Sequence, residues 1–310
     1  MPASTPASAT ADRPAARRGA WRQLRHSPTG IAGLALTVGV VVAGTLAGSL
    51  APSDPFTTVG PPLRGPSAAH LMGTDDLGRD VLSGVLHGLR TSTIVAAVAV
   101  LLAGVIGVVV GAVAGYRGGR VDDVLMRVTE VFQACPRFFL AIVAVALLGA
   151  GLGIVILVLG FTSWPVLARV VRAEALSLRE REFVEAAKAL GASDGRVLVR
   201  HVLPSVLPAA WVMISLLAAS VILLEASLSY LGLGDPNVMS LGYLANNAQG
   251  FMRTAWWMAV FPGLAIVVAV LGLSLVSDAV GDVLNPFRSG RRAEEAAAVP
   301  GAEPAGRLDR

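Results

Sequence analysis

The sequence predicts an all-α polytopic membrane protein with about six transmembrane helices and both termini in the cytosol. Three observations carry this. Of the 310 residues, 54% are hydrophobic and 15% charged, against roughly 25% charged in an ordinary soluble domain. The apolar residues form long unbroken blocks and not amphipathic stripes. The basic residues gather beside alternate blocks. Such a composition excludes a disordered chain, a coiled coil and a nucleic-acid-binding domain, and it argues against a soluble enzyme.

Six blocks are candidate spans: 31–50, about 94–115, about 128–148, about 154–171, about 209–231 and about 256–276. A helix rising ~1.5 Å per residue needs ~20 residues to cross ~30 Å of hydrocarbon, and all six approach that length. In lipid the backbone must satisfy its own hydrogen bonds, so the blocks are expected as helices. The third is the least apolar. Its first half holds Glu130, Gln133 and Arg137, and only 138–148 is clean. Those polar groups are expected to face protein if the span is full length.

Orientation follows from the 24 arginines and the single lysine, Lys188. With the N-terminus inside, 20 of these residues lie on the cytosolic side and four (Arg64, Arg79, Arg90 and Arg253) lie outside, with Arg137 unassigned. Basic residues favour cytosolic loops, so N-in and C-in is the expected topology. The net charge of +4 is explained the same way and does not require a nucleic-acid partner. Block 31–50 is longer than the apolar core of a cleaved signal peptide, so a retained span is expected. Residues 1–25 and 289–310, rich in Ala, Pro, Arg or Glu, read as disordered cytosolic tails around a membrane domain at 26–288. One cysteine, Cys135, allows no intrachain disulfide.

The most informative stretch is 172–208. It reads as two short helices joined at Gly191. The first ends near Leu190, with Phe183, Ala187 and Leu190 on one face and Arg179, Glu182, Glu185 and Lys188 largely on others. Gly191 stands where a helix end wants a left-handed residue. Ser193 is placed to cap the second helix, which runs through Val197, Leu198 and Val202. Pro204 and Pro208 bracket the return to the membrane. Small Ala186 and Ala187 let another surface approach the backbone. Read from pattern alone, a solvated amphipathic loop without a partner fits as well.

Glu185-Ala186-Ala187, then Gly191, then Leu203-Pro204 resembles the EAA motif of ATP-binding-cassette importer permeases. His201 departs from it, standing where an aliphatic residue is usual. The resemblance implies a type I importer permease fold. It also implies a coupling segment at about 173–205 whose ATPase-coupling residues are Glu185, Ala186, Ala187, Gly191, Leu203 and Pro204, the first four forming the elbow that docks on an ATPase subunit. Two further stretches resemble the second permease subunit of dipeptide, oligopeptide and nickel importers. One is His70-Leu71-Met72-Gly73-Thr74-Asp75-Asp76-Leu77-Gly78-Arg79-Asp80. The other runs from Glu225 to Gly234 and continues in Trp256-Trp257 and Phe261-Pro262-Gly263. Leu241, Ser274, Ser277 and Gly281 depart from that branch. On its own, the His70–Asp80 cluster admits a metal or catalytic reading. Asp, Gly and Thr at this density more often build a turn and helix caps, and that is the reading preferred.

The implied function is transport of di- or oligopeptides, with nickel or another small solute as the substrate alternative. The implied partners are a related permease in a heterodimer, two ABC ATPase subunits, an extracytoplasmic solute-binding protein and membrane lipid. No cofactor is expected in this chain, because ATP and Mg belong to the ATPase partners. The residues agree: a P-loop needs Gly-Lys-Ser/Thr, and the lone Lys188 lies between Ala187 and Ala189. No HExxH or convincing Ser-His pair supports an enzyme. A self-contained secondary transporter or channel is the alternative class. Inside the fifth span, Glu225 facing lipid at mid-depth would cost at least ~2.5 kcal/mol. It is expected either to line the translocation path or to sit hydrogen-bonded in helix packing.

Overall fold

With no water to satisfy peptide groups, the apolar blocks close their hydrogen bonds internally, and each becomes helix. A computed structural model describes residues 28–284; the tails expected at 1–25 and 289–310 lie outside the described residues. Helix α1 (Pro28–Thr45) continues into a short turn, α2 (Ala47–Leu50). A long connection follows to α3 (Val81–Arg117). Next come α4 (Gly119–Ala134), α5 (Arg137–Leu148) and α6 (Leu152–Arg179). The segment beneath the bundle is α7 (Glu182–Ala189), α8 (Asp194–Val197) and a π turn (Leu198–Val202). The chain closes with α9 (Leu203–Tyr230), α10 (Leu241–Ala248), a 3₁₀ turn (Gln249–Phe251) and α11 (Trp257–Leu284).

Five runs are long and apolar enough to cross a membrane, and the count is six if α4 and α5 together form one span. The expected third span is not straight. Its two halves bend by 76° at Cys135-Pro136. Proline has no N–H to continue the ladder and forces its predecessor out of the helical region. Cys135 is accordingly extended, at φ −98° and ψ 136°.

The other spans run past their expected ends. Helix α3 has 37 residues, roughly 55 Å at ~1.5 Å per residue, and starts well before residue 94. Its polar first turns hid the start from a hydropathy reading. The fifth span begins below the membrane: 194–230 is one apolar run. Pro204 and Pro208, expected at the return to the membrane, both lie within this run. The π turn immediately before Pro204, closed by Leu203 N–H to Leu198 O, widens the helix where a proline would crowd the preceding turn.

Helices α3 and α6 share the most extensive interface. A stripe of Gly107, Gly111 and Gly115 makes it possible. A Cβ at Gly107 would stand 2.9 Å from Trp164 O, one at Gly115 would stand 2.5 Å from Arg172 O, and one at Gly111 would collide with Ala168 O. Association within lipid depends on such close backbone approach. Mid-bundle, Val95, Ala99, Leu159, Val221 and Leu228 form the main core. A second cluster lies toward the α7–α8 end, and a third lies under the outer connection.

Candidate functional site

The elbow between α7 and α8 is built from local rules. Acidic Glu182 and Glu185 occupy the first turn of α7 and Lys188 the last, each sign matching the helix dipole. Leu190 ends the helix, and Gly191 takes φ +81°. Gly191 N–H bonds to Lys188 O at 2.9 Å and Ala192 N–H to Ala187 O at 3.0 Å, the two bonds of a Schellman turn. A Cβ at Gly191 would meet nothing within 4 Å, so backbone conformation alone calls for glycine here. Ser193 does sit at the N-cap of α8, but its side chain makes no cap bond.

Beneath the elbow the packing is tight. Val184, Val197, Val202 and Val206 are fully buried against Val171, Ala175 and Leu178 of α6 and Ala112 and Tyr116 of α3. The inward face of α7 therefore carries Val184, with Phe183 and Ala187 packed against its edge. Leu190, expected on that face, is instead 89% exposed, because the helix ends there and its side chain turns away. Glu185 and Ala186 are also exposed, Ala187 is half-buried, and at the start of α9 Leu203 is half-buried and Pro204 exposed. The outward surface thus combines a bare leucine, small alanines and a glycine turn on a rigid apolar base.

Tyr116 is the residue that sequence reasoning missed. Its hydroxyl donates to Asp194 Oδ1 at 2.9 Å, and Lys188 Nζ lies 5.0 Å from its ring centroid. It therefore touches both arms of the elbow. A tyrosine in the last turn of a span, beside Arg117, was the available signal, but it reads as an ordinary interfacial aromatic. Arg117, Arg120, Arg179 and Lys188 line an open groove of about 680 Å³ beside it, with Asp194 on its wall.

On the other side of the bundle, the His70–Asp80 cluster is a hydrogen-bonded bracket. Asp75 Oδ1 accepts from Leu77 N at 2.9 Å and Arg79 N at 2.8 Å, while its second oxygen pairs with Arg79 Nε. Burial works against the charge on Arg79, but hydrogen bonds to Tyr243 and Asp75 outweigh it and raise its pKa. Asp80 caps α3, accepting from Ser83 N and Ser83 Oγ, both at 2.8 Å, with His70 Nδ1 3.3 Å away. Trp257 Nε1 donates to Thr74 O at 3.1 Å and ties the bracket to α11. Turn-and-cap geometry accounts for Asp75, Arg79 and Asp80, while Asp76 Oδ1 is buried without a hydrogen-bond partner among the described residues.

Glu225 is 2% exposed and accepts from Ser92 Oγ at 2.8 Å and Ser229 Oγ at 2.9 Å, with Ser240 a third partner. The adjoining cavity is about 10 Å³, room for a water and no solute. The geometry fits the packing role: the carboxylate joins α3, α9 and the approach to α10, five residues from the outer end of α9.

Residues 107–290 match the family model described as "Binding-protein-dependent transport system inner membrane component". The dipeptide transport system permease protein DppC of Alkalihalophilus pseudofirmus is 35% identical over 272 residues, covering 87% of this chain and 89% of the relative. The glutathione transport system permease protein GsiD of Pectobacterium atrosepticum is 39% identical over 223 residues, covering 72% of this chain and 74% of the relative. Among solved structures, a chain of the MetNI methionine ABC transporter in an inward facing conformation matches with a TM-score of 0.54 at 19% identity. The match covers 64% of this chain and 96% of that one. That likeness shows a shared fold, the type I importer arrangement, and the family assignment agrees with the multi-pass architecture. The chain belongs to the inner membrane component family of binding-protein-dependent transport systems.

Proposed function

We propose that this chain is one permease half of an ATP-driven importer of di- or oligopeptides, worked by separate ATPase subunits through the elbow from Glu185 to Gly191. The observation that carries the reading is Leu190. An apolar side chain 89% exposed sits at a Schellman turn whose underside is fully buried valine. A rigid, outward apolar knob flanked by small residues suits insertion into a groove on another protein. The second arm of the elbow, α8, runs on into the fifth span, so a push on that arm is a push on a transmembrane helix. Rigid-body movement can then exchange inward- and outward-open states.

The other parts of the assembly follow from the same reading. The partners are a related permease, two ABC ATPases that use ATP and Mg, and an external solute-binding protein. The elbow lies on the side rich in arginine, which supports cytosolic termini. Peptide as the solute is supported by the relatives named for dipeptide and glutathione transport. The test is reconstitution of the complete transporter in proteoliposomes. Wild type imports a dipeptide only with ATP. Leu190→Asp and Gly191→Trp insert in the membrane but lose uptake by tenfold or more, as expected when a docking contact of ~1.4 kcal/mol or more is lost. Uptake that persists without any ATPase subunit contradicts the reading.

A further inference from the structure

The bend in the third span leaves polar groups at membrane depth that no feature described so far uses. Arg137 opens α5 immediately after the break. Among the described residues its guanidinium reaches two neutral hydroxyls, Ser163 Oγ at 3.5 Å and Ser220 Oγ at 3.4 Å. Both contacts are long. No ion pair to Arg137 is present among the described residues. Four residues earlier, Gln133 buries its side-chain nitrogen with no hydrogen-bond partner among the described residues. Phe132, adjacent to Gln133, packs edge-on to Trp164, adjacent to Ser163, at 5.4 Å. Arg137 itself reaches α6 at Ser163, and the helix that carries Gln133 packs on α6 one residue further along.

The depth of this region follows from helix length. Ser163 lies 11 residues into α6, and Ser220 lies 10 residues before the end of α9. At ~1.5 Å per residue, both stand roughly 15 Å from the outer helix ends, near the middle of a ~30 Å hydrocarbon layer. Cys135 and Pro136 at the break are exposed in the isolated chain. Broken backbone at that depth is tolerated only inside protein or along a water-filled cavity. A half-buried guanidinium beside it points the same way.

We infer that Arg137, assisted by Gln133, receives a carboxylate of the transported solute part-way across the membrane. The planar guanidinium fork matches a carboxylate in two parallel hydrogen bonds, and Gln133 can add a third donor. A peptide carries such a group at its C-terminus. The long serine contacts hold the fork in position without neutralising it, so a passing carboxylate is held and then released.

The inference rests on the peptide-import reading, and the experiment separates the two. In proteoliposomes of the complete transporter, initial uptake of a dipeptide is compared with that of its C-terminal amide, for wild type and Arg137→Gln. Any selection made by the binding protein is common to both and cancels. Arg137→Gln is expected to slow the carboxylate form about tenfold and the amide less than twofold, bringing their ratio toward one. A parallel loss of both forms, or no loss, overturns the inference; a parallel loss assigns Arg137 to folding or to an acid on the partner permease. Where wild type carries no amide, Arg137→Lys replaces that comparison. Uptake between those of wild type and Arg137→Gln supports the inference, because an ammonium keeps the charge but not the two-pronged bond, and uptake equal to either one overturns it. Failure of wild type to carry any peptide refutes the import reading itself.

Discussion

Tyr116 holds Asp194 by a 2.9 Å hydrogen bond while its ring lies under Lys188, so one side chain on α3 fixes both arms of the elbow. Tyr116 is itself 4% exposed. Removing the hydroxyl in Tyr116→Phe deletes a bond to a charged acceptor. With Asp194 exposed, the loss is about 1 kcal/mol, or roughly fivefold in an equilibrium. The expected outcome is solute transported per ATP hydrolysed falling two- to fivefold with unchanged membrane insertion. Tyr116→Leu, which also removes the ring from Lys188, lowers it further. An unchanged ratio in both variants means that the contact is not used in coupling.

Arg172 and Asp122 form a two-pronged ion pair between α6 and α4, with Nη2 to Oδ2 at 2.6 Å and Nε on the other oxygen. Asp122 is 8% exposed, so its carboxylate meets little water and relies on that partner for its hydrogen bonds. Arg172→Met leaves a carboxylate with little solvent and no counter-charge. Fully buried pairs lose 3–5 kcal/mol on such a cut, and partial exposure of Arg172 reduces this to about 2 kcal/mol. Arg172→Lys recovers only part of the loss, because an ammonium cannot engage both oxygens. Thermal unfolding in detergent is expected to rank wild type above Lys and Lys above Met. The double variant Arg172→Met with Asp122→Leu should regain stability over Arg172→Met alone.

The glycine stripe of α3 gives a sharp contrast. A Cβ at Gly111 would meet the backbone carbonyl of Ala168, which cannot step aside without moving α6. Overpacking of this kind costs typically 1–3 kcal/mol. Gly39 in α1 has nothing within 4 Å of its notional Cβ. Gly111→Ala is therefore expected to lower the unfolding temperature and the yield of assembled transporter. Gly39→Ala should leave both unchanged or slightly raised, since alanine is the better helix former. Equal behaviour of the two variants contradicts tight α3–α6 packing.

The helices were legible because hydrocarbon leaves the backbone a single option, and long apolar runs report it directly. The elbow was legible at Gly191 because a positive φ after an amphipathic turn has a strong residue preference. What stayed hidden depends on geometry between distant residues. Leu190 reads as part of an apolar face by spacing, yet the helix ends beneath it. Pro136 was visible, but the 76° bend it accompanies needed coordinates. Tyr116, 78 residues from Asp194 in sequence, gives no local sign of the partner it holds. Gln133 and Arg137 looked like blemishes in a weak span, and the reach of Arg137 to Ser163 and Ser220 emerges only once α5 is folded back.

Glu225 provides the remaining prediction, and it turns on which atoms its neighbours need. Ser92 and Ser229 donate to its two oxygens from opposite sides of the α3–α9 contact. Glutamine keeps one acceptor oxygen and nearly the same volume. Alanine removes both acceptors, leaves buried hydroxyls unpaired and opens a cavity. Each unsatisfied hydroxyl costs roughly 1–3 kcal/mol, and the lost packing adds to that. Glu225→Ala is therefore expected to be destabilised by about 3 kcal/mol or more, with a clear fall in unfolding temperature. Glu225→Gln should lose about 1 kcal/mol or less while retaining uptake and its preference among solutes. Should Glu225→Gln instead assemble normally but change which solutes are carried, the carboxylate faces the path in another state of the transporter. Measuring unfolding temperature and solute preference on the same two variants decides between these outcomes.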